Sequence, residues 1–163
     1  MGLLKASLVP IAIIVVLSLL AHAIGIVISL IPILGMVSCG IMPLFLLVCC
    51  AVLAWAGFSA AKGGMDLVGG AAVGAIVGFT GGLADAIIGF VAELVKNVLM
   101  AALGIALSGS DSSGTSFVAG FFGTAIGAAI GVAYLIIAPI SGVIVGAVCG
   151  AIGAALAGGP KKK

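Results

Sequence analysis

From Leu8 to Ile31 the sequence is one apolar run, long enough to cross the roughly 30 Å hydrocarbon core of a bilayer as a helix. It exceeds the about 7–15 residues of a signal-peptide core, so it reads as a retained helix. Pro10 stands near its start, where a missing N–H is tolerated. The remainder of the chain offers no escape from lipid, because no polar stretch is longer than Ser108 to Ser116. Only 6% of the 163 residues are charged and 64% are hydrophobic, whereas soluble domains carry about 25% charged residues. The bilayer is therefore the expected solvent. Without an aqueous domain the chain is not expected to be a cytosolic enzyme, a nucleic-acid reader or a receptor with a folded ectodomain. The net charge of +2 rests largely on Lys161, Lys162 and Lys163, too little to suggest a polyanionic partner.

Residues 1–61 read as a Leu/Ile-rich transmembrane hairpin. Its turn is Ile31-Pro32-Ile33-Leu34-Gly35, where proline and glycine break the helix. The second helix runs from about Met36 to Ala61, with Pro43 predicting a kink. Trp55 near its end and Lys62 just beyond mark a membrane–water interface.

Residues 62–163 change character, as Leu and Ile give way to Gly and Ala. Gly70, Gly74, Gly78 and Gly82 fall every fourth residue, so on a helix they make one stripe without side chains. In lipid such a stripe lets a second helix approach closely, since packing drives association there. The segments 67–107 and 117–158 align as a tandem repeat of two hairpins: Gly70, Gly74, Gly78 and Gly89 match Gly123, Gly127, Gly131 and Gly142. The turns of the two copies fall at Gly81 to Ala86 and at Ala138 to Ser141. The last helix again carries small residues at Gly142, Gly146, Gly150, Ala154 and Gly158. One helix from Phe117 to Ala157 would measure roughly 60 Å, about twice the bilayer core, so Pro139 is expected to divide it.

These run lengths predict an all-α integral membrane protein, a bundle of about six transmembrane helices in three hairpins with small-xxx-small packing. The spans are about 8–31, 36–61, 67–83, 86–107, 117–137 and 142–158. Cytoplasmic loops are enriched in Lys and Arg, and six spans place Lys5, Lys62, the Asp111 loop and the terminal lysines on one side. Both termini of a multipass protein of the cell or inner membrane would then be cytoplasmic. The segment 86–107 also fits a helix lying in the interface, because Asp85, Gly89, Glu93, Lys96 and Asn97 share an arc of about 120°. Interfacial helices are usually rich in Lys or Arg, which favours a spanning helix.

Asp85, Glu93, Lys96 and Asn97 are the chemistry-bearing residues of this stretch. A charge at membrane depth costs about 2.5–3.5 kcal/mol on insertion scales and is by default a functional hypothesis. One reading makes them an ion or proton site, or a contact to a charged partner helix. The other pairs Glu93 with Lys96, three positions on, and leaves Asp85 at a wet helix end. Ser18, Ser29 and Ser59 are expected to bond their own helix backbone, and His22 to be a hydrogen-bonded interior histidine. Phe117, Phe121, Phe122 and Tyr134 read as aromatic belts. Cys39, Cys49, Cys50 and Cys149 lie in apolar runs without zinc-ligand spacing, where a free thiol acts as a small hydrophobe. No cofactor, metal or nucleic acid is expected.

Two functions remain. One is a non-enzymatic structural or accessory subunit, whose glycine stripes pack against lipid-embedded copies of itself or other membrane-protein subunits. The other is an oligomeric ion or proton channel, or a small transporter, using Asp85, Glu93, Lys96 and Asn97.

Overall fold

A computed structural model describes the backbone of residues 3–29, 35–108 and 113–158, and side chains chiefly over 5–28, 43–100 and 127–158. Within these residues the regular secondary structure is all helix. The helices are α1 (Leu3–Ser29), α2 (Gly35–Lys62), α3 (Leu67–Ser108) and α4 (Ser113–Leu156). All four are long and apolar enough to cross a membrane.

Six spans do not occur. The expected turn at Gly81 to Ala86 lies inside α3, which is continuous over 42 residues. The expected turn at Ala138 to Ser141 lies inside α4, continuous over 44 residues and containing Pro139. Residues 86–107 are thus neither a separate span nor an interfacial helix, but the second half of α3. The physical reason is the backbone. A glycine in a helix costs about 1 kcal/mol relative to alanine, whereas each unpaired N–H or C=O in an apolar medium costs several. Opening the helix at TGGLADA would leave many such groups unpaired. Proline, too, is tolerated where neighbouring helices and hydroxyls satisfy the freed groups. Pro139 is buried against α3, its Cα facing Gly82. With one helix in place of two, α3 carries the chain to the end opposite Lys62; the expected Asp111 loop lies outside the described residues.

The link between α2 and α3 is short and closed by its own residues. Gly64 adopts a left-handed φ of 91°, and the amides of Gly63, Gly64 and Met65 bond the last carbonyls of α2. Asp66 then caps α3, its carboxylate accepting from the Gly69 amide at 2.8 Å. Lys62 stands over the Phe58 ring at 4.6 Å.

The packing is inverted relative to a soluble domain. The interior is made of small groups, with Ala56, Ala60, Val73, Val77 and Ser7 all essentially buried. Large apolar side chains such as Leu47, Val68, Ile130, Ile136 and Leu156 point outward. This is how helices pack when lipid is as apolar as leucine. Each of α1, α2 and α4 packs on α3, and the α3–α4 interface is the most extensive.

Two registers set the site. Helices α3 and α4 are antiparallel: Gly70 meets Ala154, Gly74 meets Gly146 and Gly150, Gly78 meets Gly142, and Gly82 meets Ala138. A Cβ on Gly74 or Gly78 would overlap the facing backbone carbonyl. Helices α1 and α3 run parallel: Ile14 lies on Gly81, Ser18 on Asp85 and His22 on Gly89. This register puts Ser29, the end of α1, level with Lys96, so α3 runs on for about three further turns. It also puts Asp85 level with the middle of the apolar stretch Lys5–Ile28.

Candidate functional site

Asp85 is the centre of a polar cluster drawn from three helices. The Ser18 hydroxyl on α1 donates to Asp85 Oδ1 at 2.6 Å. The Tyr134 hydroxyl on α4 donates to Oδ2 at 3.0 Å. His22, one turn beyond Ser18, sends Nδ1–H to the Ser18 carbonyl at 2.9 Å. The same Nδ1 lies 3.5 Å from the Ser18 hydroxyl and 3.8 Å from Asp85 Oδ1. Glycine makes the cluster fit. At Gly89 a Cβ would come within 2.8 Å of His22 Nε2, and at Gly81 equally close to Ile14, so either side chain would push α1 away. Both oxygens of this half-buried carboxylate thus have an O–H donor within the protein, which offsets part of the cost of holding charge in an apolar medium.

Two cavities flank the cluster. One, of about 250 Å³, is lined by Asp85 and Tyr134 together with Cys49, Leu53 and Ser141. The other, of about 630 Å³, is lined by His22, Phe90, Glu93, Lys96 and again Tyr134. The first lies along α3 from Gly78 to Asp85, the second from Gly89 to Lys96.

The four residues singled out in the sequence do not form one spot. Glu93 and Lys96 pair with each other, Nζ to Oε2 at 2.7 Å, with both side chains more than a third exposed. Asn97 faces α4 near Gly127. Asp85 stands apart from all three, with Ser18, His22 and Tyr134. Of the packing glycines, Gly131 lies against the Phe90 ring. Gly123 falls among the side chains outside those described, as do Cys39, Phe117, Phe121 and Phe122.

Two expectations need correction. The Ser18 hydroxyl is directed to Asp85 rather than back to its own helix. Tyr134 is level with Asp85 and belongs to its ligand set rather than to an aromatic belt. A signal for the missed partners was present, since Ser18 and His22 lie one turn apart on an otherwise apolar helix. His22 is hydrogen-bonded in the interior. Among the described residues no group of three or more His, Cys, Asp or Glu could hold a metal, and no buried side-chain polar atom lacks a partner.

Comparison with protein families, with curated proteins and with solved structures finds no match to this chain.

Proposed function

We propose that the protein is a small, non-enzymatic multipass membrane protein that moves an ion or proton, with Asp85 as the carboxylate that handles it. The observation that carries this reading is a carboxylate at mid-span, held from both sides by hydroxyls and lying between two cavities. Ionisable groups at membrane depth mark ion and proton pathways, and one that served packing alone would have no reason to border open space. The number of lysine-bearing ends supports cytoplasmic termini in this reading, since four spans, like six, return the chain to its starting side. Glu93 and Lys96 line the wider mouth of the path rather than its narrow point, and Asn97 faces α4 beside Gly127.

The test is flux in liposomes. Reconstituted wild-type protein should dissipate an imposed ion or proton gradient, and Asp85→Asn should reduce that flux to the level of protein-free vesicles. A wild type without flux for any small ion would sink the reading.

A structural or accessory subunit is the second reading, favoured by the self-contained Glu93–Lys96 pair and the fully partnered interior. A glycine-zipper subunit needs glycine stripes left over for packing against other subunits. Gly70, Gly74, Gly78, Gly142, Gly146 and Gly150 are consumed inside this chain, which weakens that reading. Native mass spectrometry in mild detergent separates the two: a stable complex with no flux favours the subunit.

A further inference from the structure

We propose that the transferred species is a proton and that it passes the narrow point between the cavities through His22, Ser18 and Asp85. The inference rests on the ion-handling reading above and names its cargo and route.

The geometry is that of a wire. The imidazole of His22 borders the larger cavity, with Nε2 lying over Gly89. Asp85 borders the smaller one. The Ser18 hydroxyl bridges them, 3.5 Å from His22 Nδ1 and 2.6 Å from Asp85 Oδ1. Because Nδ1–H is spent on the Ser18 carbonyl, the neutral ring leaves Nε2 as an acceptor toward the larger cavity.

A metal cation fits this set poorly. Hard cations take about six or more oxygen lone pairs, whereas Ser18 and Tyr134 both turn their hydrogens on Asp85. Donors aimed at a carboxylate suit a group that alternates between charged and protonated forms. Other titratable groups face the wire from each packed helix: Cys49 from α2, Glu93 and Lys96 from α3, Tyr134 from α4.

One transfer balances as follows. A hydronium ion in the larger cavity gives a proton to Nε2. The ring turns its Nδ1–H from the Ser18 carbonyl to the Ser18 hydroxyl oxygen and releases that proton to it, and Ser18 passes its own hydroxyl proton to Asp85 Oδ1. Three X–H bonds break and three form, no electrons are exchanged, and the result is a neutral Asp85 beside the other imidazole tautomer. Water in the smaller cavity takes the proton from Asp85; the ring then turns to bring Nδ1 to the larger cavity, where water accepts the Nε2 proton and returns one to Nδ1.

The test uses the full-length protein in liposomes with a trapped pH dye, and in parallel with a sodium- or potassium-sensitive dye. Expected are proton flux from the wild type, a loss of about a hundredfold in Ser18→Ala and in His22→Ala, and wild-type behaviour in Ser18→Thr, which keeps the hydroxyl. Free imidazole should restore proton flux to His22→Ala, because the emptied site opens on the larger cavity. Should Ser18→Ala fail to fold, the imidazole rescue alone decides the route. Unchanged proton flux in folded Ser18→Ala, or no rescue of His22→Ala by imidazole, overturns the relay and leaves the ion-handling reading standing. Alkali-ion flux without proton flux overturns the proton as cargo while sparing that reading. No flux of either kind overturns both.

Discussion

The packing around the two halves of α3 uses glycine in opposite ways. Before Asp85, on the face toward α4, Gly74 and Gly78 lie against Gly146 and Gly142, backbone on backbone, with no side chain between. After Asp85, glycine faces a side chain: Gly89 takes the His22 ring, Gly131 the Phe90 ring and Gly127 the Asn97 amide. In the first half the missing Cβ brings helices together. In the second it makes room for something larger, and the space around those larger groups is the 630 Å³ cavity. One residue type thus builds a dry clamp and an open vestibule on the same pair of helices, and Asp85 sits at the change from one to the other.

The clamp half should be intolerant of any side chain. Gly74→Leu forces a branched group into the Gly146 carbonyl, where neither backbone can yield without parting α3 from α4. A loss above about 4 kcal/mol is expected, so no folded protein should survive extraction in mild detergent. Recovery of a monodisperse Gly74→Leu protein would break the comparison at its strongest point.

The site at the change-over comes next. Asp85→Leu removes the acceptor of two hydroxyls; the exposed Tyr134 can find another, whereas the buried Ser18 is left to seek one in an apolar interior. Unsatisfied buried donors cost about 1–3 kcal/mol, measurable as a lowered midpoint on SDS titration in mixed micelles. An unchanged midpoint would mean that the Ser18 hydroxyl re-bonds to its own helix, and that Asp85 contributes nothing to the fold.

How much of this was legible follows the same division. The ends of α2 and α3 were readable, because Lys62, Gly63, Gly64 and Asp66 are local stop, turn and cap signals. The lengths of α3 and α4 were not. Cutting them at about one bilayer thickness assumes that a helix stops where lipid does, whereas the backbone keeps its hydrogen bonds through TGGLADA and Pro139. The site was half legible. Asp85 announced itself as a lone acid in an apolar run, but its partners lie 67 residues before it and 49 after it. No periodicity links positions so far apart, and only the parallel register of α1 on α3 brings Ser18 to Asp85.

In the vestibule half, charge should matter little for stability. Glu93 and Lys96 are both more than a third exposed, so solvent screens their attraction and the pair is worth about 0.2–1 kcal/mol. A double-mutant cycle with Glu93→Gln and Lys96→Met should return a coupling in that range. A coupling several times larger would place the pair in lipid rather than in a wet mouth, and would bring the vestibule closer to the clamp.

The smallest effect gives the sharpest contrast, because it uses one substitution in both halves. Alanine at either position recovers backbone entropy that glycine loses on folding, about 0.5–1 kcal/mol in its favour. At Gly78 the new methyl group meets the Gly142 carbonyl, a fixed backbone atom. Overpacking of this kind costs about 1–3 kcal/mol, so Gly78→Ala should be destabilising on balance. At Gly127 the nearest atom is the Asn97 amide nitrogen at 3.2 Å, the end of a side chain that can turn aside. There the methyl should cost little, and Gly127→Ala should lie within about 0.5 kcal/mol of the wild type. The pair is read by the same SDS titration, and only the difference between them matters. If the two substitutions cost the same, glycine has one role along the α3–α4 interface rather than two, and the vestibule is a packing defect instead of a built space.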